Sequence, residues 1–119
     1  MGSYTYAAQS GTYTKVGNLV TAICYLENIT QVSGGNGKAQ VLGLPFTNGD
    51  SYPAIGSVTL GNFAVTATAT SCISAQVNSG NTVVKFRRTR DTASANLVDE
   101  ADMTSGNADI WFSITYRVA

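Results

Sequence analysis

Histidine is missing from all 119 residues. Its absence removes the commonest general base, the usual serine triads and every cysteine-histidine pair, so catalysis is not expected of this chain. Charge is also scarce, at 12% of residues against about 25% in ordinary soluble domains. Seven basic residues balance seven acidic ones, which leaves no net field to attract nucleic acid or an anionic membrane. The two cysteines, Cys24 and Cys72, make no zinc constellation without histidine, and no cofactor is implied. Both sit in strand-like runs, where a free thiol is expected to act as a small buried hydrophobe. A disulfide between them stays open, because sequence does not place their Cβ atoms. Apolar runs stay well short of the roughly 18 residues of a membrane span, and no basic-then-apolar leader opens the chain. A soluble chain without membrane insertion is therefore expected.

What the sequence has instead is hydroxyl, amide and alternation. At this length one domain is expected, able to bury roughly two-thirds of its unfolded surface. Met1, Gly2 and Ser3 read as a start residue followed by a cloning scar, leaving residues 4–119 as the domain. Period-2 patterning recurs. Ile110, Phe112, Ile114, Tyr116 and Val118 form one face of a closing strand, against Trp111, Ser113, Thr115 and Arg117 on the other. Val84 and Phe86 point inward between Lys85 and Arg87, and Phe63, Val65, Ala67 and Ala69 alternate with Asn62, Ala64, Thr66, Thr68 and Thr70. Gly17-Asn18 suits a two-residue hairpin joining residues 13–16 to 19–22. Further turns are signalled at residues 34–37, 48–50, 78–81 and 105–107. Residues 95–103 allow one short helical turn at most. Many short strands between regular turns predict an all-β fold, an antiparallel β-sandwich of jelly-roll type.

Residues 19–30 carry too much apolar surface for one core. Leu19, Thr21, Ile23, Tyr25, Glu27 and Ile29 make one face, and Val20, Ala22, Cys24, Leu26, Asn28 and Thr30 the other. A sheet face not resting on the core normally meets water, so the surplus face needs a cover. At about 25 cal/mol per Å2, hiding a few such side chains is worth several kcal/mol. Another copy of the chain would supply that cover; loops of the same chain are the alternative. Residues 38–42 read as a strand ended by Pro45, which cannot donate to a ladder, with Leu44 and Phe46 plugging the core.

The runs GTYTKVGNLVTA, GKAQVLGLPF and DIWFSITYRVA, in this order, resemble the C-terminal domains of tail fibres and tailspikes of tailed bacteriophages. The matching positions are residues 11–18, 43–46 and 112–116. The resemblance implies a β-sandwich that assembles as a homotrimer at the tip of a fibre in the virion, holding three chains in register and touching the host surface. It implies no enzyme. Leu19, Ile23, Tyr25 and Trp111 are the candidate interface residues. Trp111 and Tyr52 are candidates for stacking on a cell-surface polysaccharide or lipopolysaccharide, with loops 33–38 and 48–57 free to join them. A lectin-like module whose main role is sugar recognition is the alternative. Asp99, Glu100, Asp102 and Asp109 could hold calcium or act as a glycosidase pair, but their spacing matches no calcium loop and a solvated loop is the preferred reading; Lys85, Arg87, Arg88 and Arg90 could grip phosphate or acidic sugar, but pairing with that acidic loop, within a chain or across a subunit seam, is preferred.

Overall fold

The computed structural model describes residues 3–34, 37–64, 70–90 and 95–118. Nine strands succeed one another: β1 (Ser3–Thr5), β2 (Ala8–Val16), β3 (Leu19–Ser33), β4 (Gln40–Val41), β5 (Ala54–Gly61), β6 (Thr70–Val77), β7 (Val84–Arg90), β8 (Asn96–Leu97) and β9 (Ala108–Arg117). A 3-10 turn at Glu100–Asp102 is the only helical element among the described residues. The fold is all-β and its pairings are antiparallel. The sheet runs in the order β1, β3, β9, β5, β6, β7, β4, with β2 also on β3 and β8 also on β7.

β9 holds the centre because its alternation is complete. Ala108, Ile110, Phe112, Ile114 and Tyr116 are buried, while Trp111, Ser113, Thr115 and Arg117 are exposed. β3 flanks it from Leu19 opposite Arg117 to Leu26 opposite Ile110, and β5 takes its other side from Ser57 opposite Ser113. Val20, Ala22 and Leu26 of β3, Ala75 and Val77 of β6, and Val84 and Phe86 of β7 complete the core. Each valine, leucine, isoleucine or phenylalanine among them contributes about 1.5–3 kcal/mol when fully buried. Phe86 and Phe112 show that the sheet curls. Three strand spacings of about 4.8 Å separate β7 from β9 along the sheet, yet the two rings lie 6.1 Å apart between centroids. Farther out, Tyr13 of edge strand β2 meets Phe46 beyond β4 edge-on at 5.4 Å, so the two edges of the sheet approach each other.

The expected hairpin forms in the expected register, with Tyr13 opposite Ala22 and Val16 opposite Leu19. Gly17 has φ +60° and Asn18 does not share its positive φ, the combination that a type II′ turn requires. Leu44 and Phe46 do pack on the core. The strand expected over residues 38–42 shrinks to Gln40–Val41, because Gly43 turns the chain at φ +94° and the Leu44 amide bonds instead to Thr82. The alternation expected over residues 62–70 falls mostly on residues 65–69, outside the described residues; its first member, Asn62, already leaves the strand at φ +57°.

One expectation for β3 is overturned. Ile29 does not continue the face of Leu19, Ile23 and Tyr25; it is buried on the opposite side with Leu26. The register slips between Leu26 and Ile29, where β3 spends three residues against two of β9, and that extra residue swaps the faces. Asn28 sits in the bulge at φ +48°, a conformation asparagine tolerates better than most residues, and its amide donates to Asp109 Oδ1 at 3.0 Å. The thiols also differ from expectation. Cys24 and Cys72 are both free, and Cys72 is exposed rather than buried, beside an irregularity where β6 slips its register on β7.

Gly56 marks the place where β5 and β9 come closest. A Cβ there would stand 2.3 Å from the Ser113 carbonyl oxygen and 2.9 Å from Ile114 Cα. Backbone on a central strand yields little, so Gly56→Ala should lower unfolding stability by about 1–3 kcal/mol. Urea denaturation reads this directly, and a loss below about 0.5 kcal/mol, the usual scatter of surface changes, would refute the close approach.

Candidate interaction face

The convex face of the sheet is built from the residues that alternate away from the core. Register places Thr12, Ile23, Ser113 and Ser57 in one row across β2, β3, β9 and β5. Ser10, Tyr25, Trp111 and Thr59 form the adjacent row, about 7 Å along the strands. Leu19 pairs Val16 at the hairpin end. Threonine and serine suit exposed strand positions, while the apolar members are only partly covered by their own chain. Leu19 is 48% exposed, Ile23 53%, Tyr25 38% and Trp111 37%. The four candidate interface residues thus share one open face.

Tyr25 and Trp111 stand opposite each other and stack with centroids 5.1 Å apart and planes inclined by only 5°. The Tyr25 hydroxyl donates to Glu27 Oε1 at 2.6 Å. That bond raises the phenol pKa, with partial desolvation and the carboxylates of Glu27 and Asp109 adding to the rise. Beyond the stack lies a shallow depression of about 270 Å3 bordered by Ile23, Ser57, Thr59, Trp111 and Ser113. The arrangement offers a flat aromatic surface, hydroxyl groups of both donor and acceptor capacity, and two carboxylates at one end.

Tyr52 is not part of this group. It lies in the connection before β5 and is 76% exposed. From Ala54 to Thr59, the partner of Trp111, the strand alone spans about 17 Å, so one small sugar unit does not reach both aromatic rings. The loop expected over 48–57 is shorter, because residues 54–57 already pair in β5, and its remainder is rigidified by Asn48, which is fully buried. Its side-chain amide donates to the carbonyls of Tyr52 at 3.1 Å and Val77 at 3.2 Å, and its Oδ1 accepts the Asp50 amide at 3.1 Å. Glu27 and Thr59 were not singled out by sequence reasoning. Both occupy odd, outward positions of their strands, but register with Tyr25 and Trp111 is a tertiary fact.

The four acidic residues considered together are separated. Asp109 sits at the bulge of β3, whereas Asp99, Glu100 and Asp102 cluster at the 3-10 turn. There Asp99 pairs with Lys38 at 2.5 Å, Asp102 with the buried Arg88, and Glu100 accepts the Tyr4 hydroxyl. The expected pairing of the basic run with the acidic loop therefore occurs within one chain for Arg88, while Arg87 donates to Gln76 Oε1 at 2.8 Å. No group of three or more histidine, cysteine or carboxylate side chains is arranged to hold a metal ion among the described residues. No helix among them is long and apolar enough to cross a membrane. Comparison of the chain with protein-family models, with curated proteins and with solved structures finds no match.

Two expectations follow from these contacts. Stacking of Tyr25 on Trp111 should give a coupling of about 0.5–1.5 kcal/mol in a double-mutant cycle of Tyr25→Ala and Trp111→Ala; zero coupling would mean the rings do not stack in solution. The Tyr4 phenol is raised from 10.0 by burial first and by its bond to Glu100 second. Its contribution is whole below pH 10.0 and is lost as pH climbs toward the folded-state value, since the unfolded chain releases the proton first. Tyr4→Phe should therefore flatten the fall in stability above pH 10, as read by denaturant midpoints across that range.

Proposed function

We propose that this chain is a non-enzymatic assembly domain, a jelly-roll-like β-sandwich that forms a homotrimer at the tip of a bacteriophage tail fibre or tailspike in the virion. The observation that carries the reading is the open convex face. Ile23, Tyr25 and Trp111 are neighbours and exposed, with Leu19 exposed on the same face beyond the Thr21–Thr115 row, and exposed apolar residues grouped on a monomer mark an interaction site. Trp and Tyr are also enriched at protein interfaces. Edge strand β2 strengthens it. Its nine residues contain one charge, Lys15, no proline and no bulge, so it lacks the devices that keep the edges of monomeric sheets apart. The three motif runs resembling tail-fibre tips supply the trimer and its biological setting. Scarce charge fits a domain whose partner is another copy of itself.

Sugar recognition is the second reading, and one observation favours it specifically. A stacked aromatic pair beside hydroxyl groups and two carboxylates matches the apolar CH patches and the hydroxyls of a saccharide. A cell-surface polysaccharide or lipopolysaccharide would then be held at Trp111, with oligomerisation adding avidity.

Light scattering after size exclusion should give three times the chain mass of 12.4 kDa. Ile23→Lys should convert that species to a folded monomer, because it sets three like charges on the shared patch. A wild-type monomer at micromolar concentration would sink the assembly reading. On a glycan array, a defined sugar whose signal disappears in Trp111→Ala while the trimer persists would establish the second reading in its place.

A further inference from the structure

The concave side of the curled sheet is not filled. Between edge strand β2 and the segment after β4 lies a cavity of about 560 Å3, within the range of sites that take small molecules. Its floor is the inner face of β3 and β9, where Cys24, Leu26, Ile110 and Phe112 lie side by side. Tyr13 and Leu44 stand on opposite sides of its mouth. From Ala22 to Ile29 it follows β3 over seven residue steps, about 23 Å of strand, which makes it long rather than round. Curl creates this space. The edges meet at Tyr13 and Phe46, but no ladder joins β2 to β4.

The chemistry of the wall is one-sided. Among the described residues no lysine or arginine lines it, and Glu100 is the only carboxyl group that does, near Met103 and Tyr4, whose hydroxyl it accepts. An apolar tunnel ending at a carboxyl selects an apolar body whose polar end donates hydrogen bonds, and opposes an anionic end. We propose that this cavity is a binding site for a long-chain amphiphile with a hydrogen-bond-donating head, an amine or alcohol rather than a carboxylate. The site lies mainly on the other side of β3 and β9 from the aromatic stack, and neither Tyr25 nor Trp111 lines it.

The two free thiols provide the test in the unaltered chain. Cys24 lines the cavity and Cys72 is exposed away from it. Dodecylamine at ten times its Kd should slow alkylation of Cys24 by N-ethylmaleimide by about tenfold, by mass action, and leave Cys72 unchanged, as read by peptide mass spectrometry. The uncharged fluorophore N-phenyl-1-naphthylamine should bind once per chain, be displaced by dodecylamine or dodecanol, and resist laurate. Its binding should be lost in Cys24→Phe, with folding checked by circular dichroism, and unchanged in Trp111→Ala on the convex face, a residue that does not line the cavity. The proposal is overturned if Cys24 does not react in the free protein, if both thiols or neither are protected, or if laurate competes as well as dodecylamine. It is also overturned if Trp111→Ala abolishes uptake, which places the probe on the convex face.

Discussion

Hydrogen bonds run from β9 to β3 on one side and to β5 on the other, and this doubly flanked position is what the remainder of the molecule rests on. A strand paired on both edges has no freedom to shift register, so its five buried and five outward positions are locked to particular neighbours. Phe112 is held where Phe86 reaches it across the curl, and Trp111 is held where Tyr25 stacks on it. Core and convex face are thus two consequences of the same alternation. Neither changes without the other.

The bulge at Asn28 is the point where this coupling is deliberately broken. Before it β3 presents even positions to the core, and after it odd ones. An extra residue lets Ile29 stay inside while the strand continues to pair β1. It also brings the Asn28 amide to Asp109 and leaves Glu27 beside the Tyr25 hydroxyl. Both carboxylates that edge the aromatic stack face outward by the alternation of their own strands, and the bulge adds the bond that ties Asp109 to β3.

Polarity is distributed in two distinct ways. On the concave side the few buried charged groups are paired, Arg88 with Asp102 most directly, because an uncompensated charge there would cost about 3–5 kcal/mol. On the convex side serine and threonine surround the apolar residues. Hydroxyl groups lose less on dehydration than ions and can donate or accept, so such a face separates from water readily. That property serves a second copy or a saccharide equally well, and it explains why the same four residues carry both functional readings. The concave cavity follows from a different cause. Seven strands abreast curl strongly enough to bring the edges together at one ring contact, but not to close a ladder.

Much of this was legible in the residues alone. The strand class, the II′ hairpin at Gly17, the two faces of β9 and the surplus face around Leu19, Ile23 and Tyr25 all follow from period-2 patterning and turn chemistry, which are local. What needed the tertiary structure is whatever depends on register between distant strands. Pairing of β3 with β9 brought Tyr25 to Trp111 across 86 positions of chain, the bulge turned Ile29 inward, and β5 separated Tyr52 from Trp111. The acidic residues near 100 looked like one group because they are close in sequence, yet Asp109 belongs to a strand and the others to a turn, and strand direction carried them apart. Alternation tells each residue which side it faces; only the partners chosen by the closed set of backbone hydrogen bonds decide whom it meets there.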